Sequence, residues 1–272
     1  MIPAILSMVS QQSTLPERVA YVSPQGVVAI RNTKTNQTTF VRDGSEPRIS
    51  ADGESIFMRT LAGASSKFVT ITLKTGQATT LADAGRFPSL GPNNDILFSN
   101  FTGNSWTPAY ISPNPPKTAF NDGFRAEWSP QGHILWPTIR ELQELTLDGA
   151  LVRKWAYADI LPPTATFSWG DRFQISPANP NLLLLSTTSV QPEKPDSKVV
   201  YLIDLTKPSE PHSIPNATEA TFTPSGESFL FQGQRSDNSG TWIGMSDLTG
   251  KIEWLWPGTQ PDAGPLNRTK PN

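Results

Sequence analysis

The residue types that most often carry chemistry are scarce in this chain, and they lie apart. Histidine occurs twice, at His133 and His212, and cysteine does not occur at all. Two imidazoles so far apart in sequence form none of the closely spaced ligand pairs that metal sites are built from. A serine nucleophile would need one of these two rings as its base, and no G-x-S-x-G turn presents such a serine. Without cysteine there is neither a thiol nucleophile nor a disulfide framework. Carboxylates remain, 24 of them, but they are scattered through the loops and no spacing singles out a pair for glycoside cleavage. The sequence therefore assigns no catalytic residue, no metal ligand and no cofactor.

What the chain does concentrate is the chemistry of interfaces. The sharpest cluster is Trp169-Gly170-Asp171-Arg172. Tryptophan and arginine are the types favoured as binding anchors, one for its apolar area and one for its fork of donors. Trp169 would be the apolar anchor and Arg172 a donor to a carboxylate or carbonyl. With Asp171, Trp106, Arg125 and Arg235 they make up the candidate binding set. The competing reading is architectural: Trp169 covers a seam, and Asp171 and Arg172 form structural ion pairs.

The elements that hold these residues are set by a repeat. "EPRISADGESIFMRT" (46–60), "FPSLGPNNDILFSN" (87–100), "RAEWSPQGHILWPT" (125–138), "RFQISPANPNLLLLS" (172–186) and "EATFTPSGESFLFQG" (219–233) share one plan. A short strand ends in Ser, Thr or Gly, a tight Pro/Gly/Asn/Asp turn follows, and then an apolar run. A degenerate copy, "STLPERVAYVS" (13–23), opens the chain. The anchors Ser13, Ser50, Gly91, Ser129, Ser176 and Thr223 are 37, 41, 38, 47 and 47 residues apart. A period near 40–50 made of short strands is the mark of a propeller with one four-stranded blade per repeat. A third strand ("FVTITL", "LQELTL", "KVVYLIDL", "TWIGMSDL") and an outer one ("ATTL", "LVRKW", "IEWLW") complete each unit. In the turns, proline presets φ and Gly or Asn takes the position that needs φ > 0. Blades fall at roughly 9–42, 46–82, 86–121, 124–156, 171–214 and 218–257. The ring is closed either by residues 9–13 or by the tail, 258–272, where "DAGPLN" (262–267) echoes "DAGRFPSLG" (83–91).

Composition agrees with an all-β chain. It has 272 residues, 26 prolines, 19 glycines and only 17% charged residues, with a formal net charge of −2. Such a charge gives no reason to expect nucleic acid or an anionic membrane as partner. The apolar "MIPAILSMV" (1–9) is too short to span a bilayer, and it lacks the basic start of a signal peptide as written. It is read as a first strand or the remnant of a signal.

"EWSPQGHILW" and "ATFTPSGESFLF" resemble the inner hairpin of the TolB-like (WD40-like) propellers, in which P-x-x-S-P-D-G-x-x-[IL]-x-[FY] recurs. The likeness runs as a repeat from about Ser13 to Trp256. Only Ser50-Ala51-Asp52-Gly53 keeps the Asp-Gly pair, and Gly91-Pro92-Asn93-Asn94 and Ser176-Pro177-Ala178-Asn179 lack the glycine. The resemblance implies six blades and a place in the periplasm or envelope of a bacterium. "SDNSGTW" (236–242) resembles a sialidase Asp box only superficially. Oligogalacturonate lyases have a similar repeat but need several histidines for a metal.

Long segments collect on the face that carries the second-to-third-strand loops and the crossings between blades: 61–67, 100–106, 188–198, 234–242 and the crossing 156–171. Insertions gathered on one face of a repeat fold point to a binding surface. The expectation is a non-enzymatic, monomeric propeller that engages a protein or peptide through this face and the channel mouth. The alternative is a carbohydrate-active propeller that binds or cleaves glycans with loop Trp and carboxylates.

Overall fold

A computed structural model describes residues 15–264, apart from 51, 63–64, 84, 92–94, 102–105, 112–124, 167, 169, 191–195 and 238. The chain is a six-bladed β-propeller of antiparallel sheets. Blade 2 runs Ser45–Ile49, Ser55–Ala62, Ser65–Thr72 and Ala78–Ala82 from the axis outward. Blade 3 shows Arg86–Leu90, Ile96–Phe101 and Trp106–Ile111. Blade 4 is Glu127–Trp128, Ile134–Pro137, Glu141–Leu145 and Leu151–Ala156. Blade 5 is Arg172–Ile175, Leu182–Ser189, Ser197–Asp204 and His212–Pro215, and blade 6 is Ala217–Phe222, Ser228–Gln234, Thr241–Asp247 and Ile252–Pro257.

Blade 1 takes its inner strand from the far end of the chain. Thr259–Gly264 pairs antiparallel with Arg18–Val22, which leads on to Val27–Asn32 and Thr38–Asp43. The sixth anchor is therefore Gly264; Ser13 lies outside the described residues. The echo in "DAGPLN" finds the right segment in the wrong register. Gln260 shares with Glu46, Phe87 and Glu219 a left-handed backbone at the head of the inner strand, φ 51–57°. That aligns Gly264 with Gly91, not with Gly85.

Where the anchor is Ser or Thr it works through its side-chain oxygen. Ser50 Oγ accepts from Ser55 N at 2.9 Å, Ser129 Oγ from His133 N at 3.2 Å, and Ser176 Oγ from Ala178 N at 3.2 Å. Each fixes a turn whose glycine, where present, has φ near +70° to +80°, as at Gly53, Gly132 and Gly226.

The core lies between the blades. Each of the six seams has its own apolar cluster. This is why "LLLL" shows no alternation: Leu183 and Leu185 face blade 4, while Leu184 faces blade 6. With both faces covered, the polar half of the strand pattern disappears. Gly91 belongs to the same packing. A Cβ there would come within 2.9 Å of the Trp128 ring across the seam. Gly91→Ala is expected to cost about 1–3 kcal/mol by overpacking, read as a lowered urea midpoint at unchanged slope.

Candidate functional site

The six inner strands run parallel to one another around the axis, and the anchors give them a common register. Two positions before each anchor lies a residue directed at the channel: Arg48, Ser89, Glu127, Gln174, Thr221 and Asp262. Four positions before lies the residue at the head of the strand: Glu46, Phe87, Arg125, Arg172, Glu219 and Gln260.

The head positions, on the crossing face, are tied together by charge. Arg125 is 1% exposed and reaches from blade 4 to blade 6. Its two terminal nitrogens donate to both oxygens of Glu219, at 3.1 and 3.2 Å, and its Nε donates to Glu127 at 3.0 Å. The guanidinium also lies 4.8 Å over the Phe87 ring. Arg172 donates from Nε to the same Glu127 oxygen at 2.9 Å, and from Nη1 to the Ala220 carbonyl at 3.2 Å. Burial works to raise both carboxyls, but the arginines outweigh it. Arg172, Arg125 and Arg48 hold Glu127 below the usual carboxylate range, and Arg125, Arg172 and Arg48 bring Glu219 down to about 2. The two arginines differ. Arg125 has two carboxylates, which offset its burial and push its pKa further up. Arg172 shares one, and burial with Arg48 and Arg125 nearby lowers it to about 10.

The channel positions also join neighbouring blades. Asp262 accepts from Ile49 N at 2.9 Å, Ser89 from Trp128 N at 2.9 Å, and Gln174 from Phe222 N at 2.7 Å. These acceptors stand in blades 1, 3 and 5, and the donors in blades 2, 4 and 6. Beyond them the channel opens into a cavity of about 400 Å³ on the hairpin face, opposite the long loops. Arg48, Glu127, Arg172, Gln174, Thr221 and Asp262 form its polar wall, and Leu90, Trp128, Ile175 and Phe222 with Pro130, Pro177 and Pro224 surround them toward the mouth.

The candidate binding residues are thereby dispersed. Arg125 and Arg172 are buried inside the channel. Asp171, 3% exposed, accepts from the backbone and hydroxyl of Ser168 and from the hydroxyl of Thr187. Burial raises its pKa against those bonds. Arg235 pairs with Asp237 at 3.0 Å and lies 4.5 Å over the Trp242 ring, on the loop between the middle strands of blade 6. Trp106 opens the third strand of blade 3, where it pairs with Phe101. Trp169 lies outside the described residues. Parts of the long crossing pack onto blades 4 and 5. Ile160 is 2% exposed within the blade 4–5 core, and Ala165–Thr166 pairs with Thr188–Ser189 as an added strand. Glu219, Asp262, Gln174, Thr221 and Ser89 were not singled out from sequence. The signal for them is the offset from the anchor, which becomes readable around the ring once Gly264 is recognised as an anchor.

No protein family matches the sequence, and no curated protein does. Among solved structures, TolB from Acinetobacter baumannii superposes over 92% of this chain and 67% of its own, with a TM-score of 0.69 and 14% identity. The fold is that of the TolB propellers. A chain described as a TolB from Agrobacterium tumefaciens matches 93% of this chain and 94% of its own, at TM-score 0.61 and 12% identity. A chain of the nidogen/laminin complex matches over 92% and 99%, at TM-score 0.60 and 10% identity. Identities this low carry the architecture and no activity. Among the described residues no group of three His, Cys, Asp or Glu side chains is placed to hold a metal ion, and no helix is long and apolar enough to cross a membrane.

Proposed function

We propose that this TolB-like propeller is a non-catalytic binding module that receives a protein or peptide segment at the hairpin-side mouth of its channel. The observation that carries this reading is the asymmetry of the channel: cross-linked by buried charge on the crossing side, open as a polar-floored, apolar-rimmed cavity on the other. A cavity of this size with a few convergent polar groups has the form of a recognition site. The nidogen/laminin neighbour is itself a propeller found in a complex. We take the setting to be the periplasm or envelope of a bacterium and the acting form to be a single copy. The long loops of the crossing face stand as a second candidate surface.

Because the chain has no cysteine, each face can be labelled alone. Gln131 is exposed in the hairpin turn of blade 4, and Asp196 is exposed among the long loops. A partner recovered from a bacterial envelope extract is expected to lose at least about tenfold in affinity when a bulky maleimide occupies Gln131→Cys. A label on Asp196→Cys should leave binding unchanged. Blockage from Asp196→Cys alone would move the docking surface to the loop-rich face and overturn the proposal.

A further inference from the structure

Two arginines face the cavity with donors to spare. Arg48 is 4% exposed, and its Nε is buried without a hydrogen-bond partner. One terminal nitrogen donates to the Pro47 carbonyl at 2.8 Å. The nearest carboxylate, Asp262, stands 3.9 Å from Nε, beyond hydrogen-bond reach, and its other oxygen is taken by Ile49 N. Arg172, 2% exposed, lines the same cavity and uses only Nε and Nη1. Among the described residues neither Nη2 has a partner. A buried cation normally finds a full set of acceptors, since leaving donors unmet costs free energy.

We infer that Arg48 and Arg172 together form a clamp for one carboxylate group, entering from the hairpin-side mouth as a peptide chain terminus or an Asp or Glu side chain. Arg48, Arg125 and Arg172 face Glu127, Glu219 and Asp262, three against three, so the site has no excess of positive charge for a dianion, which would meet the carboxylates of Glu127 and Asp262 in the cavity wall. Burial, with Arg48 and Arg125 nearby, lowers Arg172, and an anion entering beside it relieves that repulsion. A planar guanidinium pair offers the fork geometry that carboxylates take. The inference rests on the reading of the mouth as a binding site and specifies what it recognises.

The test uses the full chain with nitrogen-labelled arginine side chains, followed by NMR. The probes are Ala-Ala-Ala as the free acid, the same peptide as its amide, and Ala-Asp-Ala amide. Saturable movement of the Arg48 and Arg172 Nε–H signals by the free acid or the Asp peptide, but not by the Ala-Ala-Ala amide, is the expected result. Which of the two carboxylate peptides binds tells chain terminus from side chain. Arg48→Gln should abolish the response at an unchanged thermal midpoint, and Arg48→Lys should retain a weaker one. Asp262→Asn removes the competing carboxylate and keeps an acceptor for Ile49 N, so binding should tighten by about threefold or more. Signals unmoved at roughly 100 mM probe, where even a millimolar site would fill, would overturn the clamp, as would an unaltered response in Arg48→Gln. If the probes fail while a label on Gln131→Cys still blocks the partner, the clamp is wrong and the mouth remains the binding site. If the probes bind and the label has no effect, the reverse holds.

Discussion

Removal of residues 259–272 is expected to lower the thermal midpoint by more than about 10 °C, or to prevent folding. Thr259–Gly264 is the whole inner strand of blade 1. Its backbone pairs with Arg18–Val22, its Asp262 carboxylate accepts from Ile49 N, and its Gln260 amide oxygen accepts from Glu46 N at 2.8 Å. Ala263 packs against the cluster of Val19, Tyr21, Leu230 and Ile243 between blades 6 and 1. Taking the strand away exposes that cluster and leaves two buried or half-buried N–H groups of blade 2 without acceptors, each costing about 1–3 kcal/mol. The sum is on the order of 5 kcal/mol, and a chain of this size loses roughly 2–4 °C per kcal/mol. Calorimetry of the truncated chain reads the effect, and the peptide 259–272 added in trans should recover part of it. An unchanged midpoint would mean that the ring holds without its closing strand.

Arg125→Met is expected to cost about 3–5 kcal/mol, because it strands Glu219 in the channel without its main cation and leaves Glu127 paired with Arg172 alone. The pH dependence separates this from a simple packing loss. Glu219 has its folded pKa depressed to about 2 from an ordinary 4.5. Its contribution is therefore present above about pH 4.5 and is lost as pH falls from there through 2. The wild-type chain should lose stability over that window, by roughly 3 kcal/mol from this group. In Arg125→Met the depression is relieved, so the deficit against wild type should shrink as the medium is acidified. Chemical denaturation at pH 7, 4 and 3 measures both. A deficit below about 1 kcal/mol, or one constant with pH, would remove the ion cluster from the account of stability. Adding Glu219→Gln to Arg125→Met should recover part of the loss, by the logic of a double-mutant cycle.

The propeller was legible because its turns are local. Ser50, Ser129, Ser176 and Thr223 each bond to groups within five residues of themselves, so the pattern survives in the sequence even where the Asp-Gly pair is gone. The seams were legible for a related reason: the apolar run Leu182–Leu185 is continuous because it serves two neighbours. The site was less so. Arg125 and Arg172 look like surface anchors when read beside Trp169, since nothing local shows that Glu219, 94 residues away from Arg125, waits across the axis. By the repeat, Arg48, Arg125 and Glu127 fall on inner strands, where the sequence alone allows either reach into the channel or pairing with each other between blades. In the structure Arg125 and Glu127 pair with each other within blade 4 and across to Glu219 of blade 6 and Arg172 of blade 5, Arg48 stands 3.9 Å from Asp262 of blade 1, and Arg48 and Glu127 also line the cavity. Counting back from each anchor would have assembled the channel wall. That count fails without the sixth anchor, because the strand that closes blade 1 lies 246 positions from its pairing partner at Arg18.

The alternation of the channel acceptors bears on how many blades the ring can have. Asp262, Ser89 and Gln174 each take a backbone proton from the blade that follows, and the blades so joined are 1 with 2, 3 with 4, and 5 with 6. Such a pattern has a parity. It closes on itself in a ring of even number and leaves one member unmatched in a ring of five or seven. Twist and seam packing set the approximate size of a propeller; the residues facing the axis here add a pairing of the blades two by two. In this chain the wall of the cavity thus also has a period of two blades, and gain or loss of a pair of repeats would keep that period where gain or loss of one would break it.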